Sequence, residues 1–440
     1  MKVYKFGGTS VGTPDRMKEV AGLIRENDLQ KIVVLSAVAG TTNALVEIGD
    51  CYRAGNIEAA NECLENLKTK YTPFVTSLLE KETSRAKAMA VVNQYFDEIK
   101  RLIHQPFYQQ IIKIIIVNGE LISTNLFQIH MEEKYPGYSR LITAADFMYL
   151  NASHEPDIPL ISTKLSNIIN TDGSFKAYIT QGFICRNFSG GIDNLNRGGS
   201  DYSATIIGAA MKAEEIQIWT DIDGMHNNDP RIVENTKPIS NLSFEEAGEL
   251  AYFGAKILHP NCIIPAQQYD IPVRIKNTMK PLAHGTLITS TQNHEAVKAI
   301  AAKDGITAIK IKSSRMILAF GFLRKVFEVF ENYRTPIDMI TTSEIAVSIT
   351  IDNPECLDQI VTDLAVYGKV EVDRNQTIIC IVGDMVAEQK GVSSEIFKAV
   401  EEVPIRMISY GGSRNNISLL VHTQFKEHTL RLLNKHLFNL

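Results

Sequence analysis

Four segments gather residue types suited to holding anions. In Lys5-Phe6-Gly7-Gly8-Thr9-Ser10 a lysine ends a short apolar run and meets two glycines and two hydroxyls. Glycines let backbone N–H groups approach phosphate oxygens, and the lysine adds a point charge. The Gly-x-x-x-x-Gly-Lys-Ser/Thr spacing of a P-loop is absent. In Asn196-Arg197-Gly198-Gly199-Ser200-Asp201-Tyr202-Ser203, Arg197 can fork onto a carboxylate and the glycines bare the backbone. Ser200 or Asp201 is placed to cap the next helix, whose N-terminus favours anions. In Trp219-Thr220-Asp221-Ile222-Asp223-Gly224, continuing to Asp229-Pro230-Arg231, carboxylates stand at the carboxyl end of an apolar strand, where open α/β sheets bind ligands. The glycine and terminal glutamate of an EF-hand are misplaced there. In Phe253-Gly254-Ala255-Lys256-Ile257-Leu258-His259-Pro260, Lys256 could reach a phosphate, and His259 reads as structural. Each segment alone also reads as a polar turn. Together, Lys5, Arg197, Arg231 and Lys256 suit an enzyme that handles a phosphorylated ligand and a carboxylate.

The elements that must position these residues alternate between strand and helix. Strands are expected at 3–6, 31–36, 111–117, 177–185 and 216–220. Thr13-Pro14-Asp15 opens a helix to about Glu26, with Thr13 as cap and Pro14 in the first turn. Asn118-Gly119-Glu120 opens another through Met131, and 202–211 is a third. This pattern indicates an α/β fold with a mostly parallel sheet covered on both faces. Residues 57–105 show helical spacing only and read as a helical lobe without assigned chemistry. After a last strand at 284–289 and a linker at 291–294, a weak repeat of about 70 residues appears. Each copy reads strand, helix, strand, strand, helix, a ferredoxin-like α+β unit.

Composition limits the alternatives. The chain has 440 residues, 45% hydrophobic and 22% charged, which is ordinary for a globular protein and excludes disordered or collagen-like chains. Lys+Arg number 45 against 50 Asp+Glu, so the net charge of -5 argues against a nucleic-acid or anionic-membrane partner. The N-terminus lacks a secretion signal and no uninterrupted apolar run is long enough to span a bilayer, so a cytoplasmic location is expected. The six cysteines lack Cys-x-x-Cys spacing and read as reduced thiols. The ten histidines lack metal-ligand spacing, so no protein-held metal is expected.

The set KFGGTSV (5–11), VVLSAVAGTTN (33–43), NGELIST (118–124), TQGFI (180–184), RGGSDYSA (197–204), WTDIDG (219–224), DPR (229–231) and FGAKILHP (253–260) strongly resembles aspartate kinase. The order and spacing match, and the resemblance covers essentially the whole chain, including a tail of paired ACT domains. It points to the monofunctional, lysine-sensitive type, with no homoserine dehydrogenase following. The fold it implies is an amino-acid-kinase-like three-layer α/β domain over 1–290, with the helical lobe at 57–105. A first ACT domain would span 304–375, and a second would combine 295–303 with 376–440.

The implied reaction is phosphoryl transfer from ATP, with Mg2+ bound chiefly by ATP oxygens, to the side-chain carboxylate of L-aspartate. Lys5, Gly7 and Gly8 would contact the phosphates, and Lys5 would stabilise developing charge, a role worth about 3 kcal/mol or more for a preorganised group. Asp201 would organise the site near Lys5. Arg197 would clamp a carboxylate of aspartate and Glu120 would pair with its ammonium. Ser36, Thr42, Gly198, Gly199 and Ser200 would complete that pocket. Thr220, Asp221, His226, Arg231 and Lys256 would surround the nucleotide. His226 stands where many relatives carry tyrosine, so altered ATP affinity is expected.

The tail implies feedback control by an amino acid, L-lysine first, at an ACT–ACT homodimer interface, with pairing into tetramers left open. Matching positions are Met316, Gly321, Phe322, Leu323, Ile337, Asp338, Ser343 and Glu344. Asp338 and Glu344 suit an ammonium group. Ala319 stands where lysine-responsive relatives can carry serine, which leaves the effector's identity open. Two other readings compete: a non-catalytic amino-acid sensor with a vestigial kinase domain, and a kinase of another acidic amino acid. Glu120 with Arg197 favours an α-amino acid without fixing its length.

Overall fold

The chain runs through β1 (Lys2–Phe6), α1 (Pro14–Arg25), β2 (Lys31–Leu35) and α2 (Thr41–Arg53) in the computed structural model. Three helices follow without a strand, α3 (Ile57–Thr69), α4 (Tyr71–Leu78) and α5 (Glu82–Ile103), and then the long α6 (Gln109–Lys134). Next come β3 (Ser139–Leu141), α7 (Ala144–Phe147), α8 (Ile158–Thr171), β4 (Ala177–Gln181), β5 (Ile184–Arg186), β6 (Ile192–Asn194), α9 (Gly199–Met211) and β7 (Glu215–Thr220). After β8 (Asn241–Ser243), α10 (Phe244–Tyr252) and α11 (Pro260–Gln268) stand β9 (Val273–Asn277) and β10 (Thr286–Thr289). The remainder is β11 (Ala299–Lys312), α12 (Phe322–Asn332), β12 (Ile340–Thr342), β13 (Ala346–Ile351), α13 (Leu357–Leu364), β14 (Lys369–Val382), α14 (Val392–Ala399), β15 (Ile405–Tyr410), β16 (Asn416–His422) and α15 (Lys426–Phe438). The structure describes residues 1–26, 29–171, 173, 175–195, 198–254, 258–291, 296–313 and 320–440.

These residues divide into two units: 1–225 with 258–290, and 226–257 with 291–440. In the first unit seven strands lie in the order β3-β4-β2-β1-β7-β9-β10. All of these neighbours pair in parallel except β10, which is antiparallel to β9. β1 is flanked by β2 and β7, with Lys5 opposite Val34 on one side and Ile218 on the other. Strands buried on both faces read as continuous apolar runs, as KIVVL does. Thr13 caps α1 by accepting from the Arg16 N–H at 3.3 Å, and Pro14 occupies the first turn, as the sequence predicts.

The strand expected at 111–117 is instead the first part of α6. Ile111, Ile112, Ile115 and Val117 are buried, and Ile114 and Ile116 pack against the same core. A helix enclosed nearly all round loses its polar face, so its apolar run mimics a strand, and packing overrides the β-preference of isoleucine. α6 is also long and apolar enough to cross a membrane by length and composition, but 67% of its most apolar window is buried inside this fold. Its Gly119 makes a close approach possible: a Cβ there would lie 2.9 Å from the Ala37 Cβ.

The second unit contains a six-stranded antiparallel sheet, β12-β13-β11-β14-β16-β15. β11 and β14 are each 14 residues long and pair along their length, with register breaks between Lys303 and Ile306 and between Ile306 and Ala308. One half of the sheet packs Ile309, Ile311, Val347 and Ile349 against Val326, Phe330 and Leu364. The other packs Ile379, Ile381, Leu419 and Val421 against Ile396 and Leu433. These are two ferredoxin-like α+β halves side by side. Gly321 and Gly391 precede the helices α12 and α14 with φ of 80° and 87°, a conformation that favours glycine. The edge strand β12 is only three residues long.

Candidate active site

β1 delivers Lys5 to the carboxyl end of the sheet. Its side chain is 11% exposed, and its ammonium lies 2.6 Å from Asp201 Oδ1 in the first turn of α9. The turn after β1 closes with Ser10 N–H donating to the Gly7 carbonyl at 2.9 Å. A Cβ at Gly7 would lie 3.3 Å from the Lys5 Nζ, and one at Gly8 3.0 Å from the Ala37 carbonyl oxygen. Both glycines therefore keep the backbone close to the lysine and to the loop after β2.

The start of α9 departs from expectation. Neither Ser200 nor Asp201 caps it; the cap is Gly198, with φ of 77° and no side-chain cap bond. A Cβ at Gly198 would lie 2.6 Å from His259 Cβ and 2.8 Å from Cys262 Sγ, so only glycine fits. The helix consequently begins early, and Ser200 and Asp201 fall in its first turn. A Cβ at Gly199 would lie 2.3 Å from the Phe183 ring. Asp201 is thereby free to meet Lys5, near the end of α9 where unpaired N–H groups favour anions.

The third wall comes from α6. Glu120 is 4% exposed. Its Oε1 accepts from the Ala37 N–H at 3.4 Å, while its Oε2 has no hydrogen-bond partner among the described residues. Burial pushes this carboxyl up from its ordinary 4.5 to about 8. A buried carboxylate with one unpartnered oxygen is a receptor for a cation. Ser36 is half-buried, its N–H donating to the Phe6 carbonyl at 3.2 Å. Thr42 is half-buried in the first turn of α2.

Of the expected nucleotide contacts, Thr220 ends β7 and donates its hydroxyl to Asp221 Oδ1 at 3.2 Å; Asp221 is exposed. His226 and Arg231 fall in the second unit. His226 Nδ1 lies 2.8 Å from the Thr236 hydroxyl. Arg231 forks onto Asp229 at 2.9 and 2.7 Å with its side chain 74% exposed. Arg197, Lys256 and Met316 lie outside the described residues. In the effector set, Gly321 caps α12, Phe322 is buried, Leu323 is exposed and Ile337 packs against the β11–β13 core. Ser343 and Glu344 are exposed between β12 and β13. Asp338 is already engaged by Tyr252 and Lys303.

Sequence reasoning missed several supports. Tyr71, in the helical lobe, is buried and shares a 2.9 Å hydrogen bond with Thr41 beside Thr42. Its phenol is pushed up to about 12, by burial first and with the Glu120 charge adding to it. Gln181 accepts from Ala144 N–H and donates to the Thr124 hydroxyl one turn beyond Glu120. The helical spacing of Tyr71 was visible, but its partner across the fold was not.

Residues 1–277 match the amino acid kinase family, and residues 379–437 match the ACT domain. Lysine-sensitive aspartokinase 3 of Escherichia coli (strain K12) is 32% identical over 99% of each chain. The structure of E. coli aspartokinase III with aspartate and ADP (R-state) superposes with a TM-score of 0.85 at 30% identity, covering 100% of both chains. That of the same enzyme with lysine and aspartate (T-state) gives 0.81 at 30% identity, covering 100% of this chain and 99% of the other. With an amino acid kinase domain, ACT-type regulatory units and end-to-end similarity to these enzymes, the chain belongs to the aspartokinase family.

Proposed function

We propose that this chain transfers the ATP γ-phosphoryl group to the β-carboxylate of L-aspartate, forming 4-phospho-L-aspartate at the head of lysine, threonine and methionine synthesis. The observation that carries this reading is Glu120, a buried carboxylate with an unpartnered oxygen, bound to the same loop that abuts Gly8 two residues after the Lys5 strand. An α-ammonium at Glu120 leaves the substrate's carboxylates for the cationic groups.

The acceptor carboxylate is ionised at neutral pH, so the site needs no strong base; it must hold two anions in line and neutralise charge. Lys5, oriented by Asp201, faces the transferring group. The Gly8 backbone and the first turn of α9 supply N–H donors to the phosphates, while the Gly7 N–H, which donates to the Trp219 carbonyl at 3.3 Å, holds the turn against β7. Arg197 takes a substrate carboxylate, with Ser36, Thr42 and Ser200 around it. Thr220, Asp221, His226, Arg231 and Lys256 serve the nucleotide. Among the described residues no three His, Cys, Asp or Glu side chains gather into a metal cage. We read Mg2+ as arriving on ATP oxygens, where it would screen phosphate charge.

The ACT halves are read as 304–375 and as 295–303 with 376–440, a division supported by the register break after Lys303. They carry feedback by L-lysine at a homodimer interface, in a cytoplasmic enzyme; the lysine complex of the E. coli relative supports the choice of effector. Hydroxylamine trapping tests the whole reading. Aspartate, but neither glutamate nor acetylglutamate, should give an ATP-dependent hydroxamate that Lys5→Met abolishes. Equal turnover with glutamate, or none with aspartate, would sink it.

A further inference from the structure

The ionic cluster at Asp338 lies wholly in the second unit. Asp338 Oδ1 accepts from the Tyr252 hydroxyl at 2.8 Å and lies 2.7 Å from the Lys303 ammonium. Lys303 also reaches Asp352 Oδ2 at 2.8 Å and sits 4.3 Å from the centre of the Tyr252 ring. The Asp338 side chain is 1% exposed, yet its Oδ2 has no hydrogen-bond partner among the described residues. An unpartnered oxygen on a buried carboxylate marks room for a donor. One lysine against two aspartates leaves these three side chains with one net negative charge, which a single ammonium would cancel.

We infer that Lys303 and Asp352 set the affinity of the effector site for an amino-acid ammonium group. Lys303 is a built-in ammonium that already occupies Asp338, so an incoming one takes the second oxygen and shares the carboxylate. Asp352 supplies the charge that lets two cations sit together. Lys303 therefore weakens effector binding and Asp352 strengthens it. This inference rests on reading Asp338 as an effector ligand. Neither Lys303 nor Asp352 belongs to the residue set the family resemblance supplies. β11 and the end of β13 bring them together with Asp338. Tyr252, the last residue of α10, ties the same carboxylate to the segment that leads to Lys256.

The test compares full-length wild type, Lys303→Met and Asp352→Asn. For each, the L-lysine concentration giving half-inhibition is measured relative to that variant's own uninhibited rate, and L-lysine binding is measured by calorimetry. Lys303→Met should bind and respond at about fivefold lower lysine, and Asp352→Asn at about fivefold higher, a modest allosteric coupling. Lys303→Arg, which keeps the charge, should respond as wild type does. If Lys303→Met fails to fold, Asp352→Asn and Lys303→Arg decide. Wild-type inhibition with variant responses unchanged, or shifted in the opposite senses, overturns this inference alone. A wild type that neither binds lysine nor is inhibited by it overturns the effector reading, and this inference with it.

Discussion

Glu120 makes the pH dependence of substrate capture a sharp test. Its carboxyl is raised from 4.5 to about 8 by burial. At about 1.4 kcal/mol per pH unit, holding the charge in this cavity costs about 5 kcal/mol relative to water. At pH 7, one pH unit below that value, roughly one unliganded site in ten carries the charge that the ammonium requires. Aspartate binding should therefore draw a proton out of the enzyme. The kcat/KM for aspartate should rise about tenfold between pH 7 and pH 9 along a single limb centred near 8. Glu120→Gln should flatten that limb and raise the KM for aspartate far more than that for ATP. Stability moves the other way. The folded state keeps a proton that the unfolded chain releases, so the fold loses stability as pH rises from 4.5 to about 8. Glu120→Gln should thus melt higher than wild type at pH 8.5 and closer to it at pH 5. A kcat/KM profile that is level from pH 6.5 to pH 8.5, or a glutamine variant with unchanged KM for aspartate, would refute the reasoning.

Three other outcomes follow from the packing. Gly119→Ala would set a methyl 2.9 Å from Ala37 Cβ and 3.3 Å from Leu45 and Thr41; it should cost about 1–3 kcal/mol in denaturant melts and raise the KM for aspartate. Lys298 and Glu246 form an ion pair at 2.8 Å with side chains 1% and 2% exposed, so Lys298→Met should cost about 3–5 kcal/mol, and adding Glu246→Gln should recover part of that loss. Burial pushes the Cys185 and Cys262 thiols up to about 12 and raises Cys380 as well, so a thiol reagent at pH 8 should leave all three unlabelled until the chain unfolds.

The residues of the first unit were legible because strand ends and glycine turns carry local signals. Lys5, Gly7 and Gly8 fall at the end of β1 as the local pattern places them, and Lys5 meets Asp201 directly in the first turn of α9. The error over 111–117 has a simple origin: a helix surrounded by core shows no polar face to betray its period. The mistaken cap at Ser200 or Asp201 arose because the steric demand on Gly198 comes from His259 and Cys262, about 60 residues away in sequence, which no local pattern encodes. Tyr71 against Thr41, and Lys303 against Asp338 and Asp352, are likewise pairings made by long-range contact rather than by motif. The segment 226–257 falls in the same unit as 291–440, although its residues read as a continuation of the alternating pattern.

β11 and β14 pass unbroken through both regulatory halves. The two halves thus hang on common beams of covalent backbone, and backbone pairing alone links β12 and β13 to β16 and β15. The irregular step beside Lys303, with Gly305 at φ of 76°, is where the regular pairing of that beam is interrupted. The irregular step in the framework and the ionic cluster of Lys303 with Asp338 thus share the same short stretch of β11.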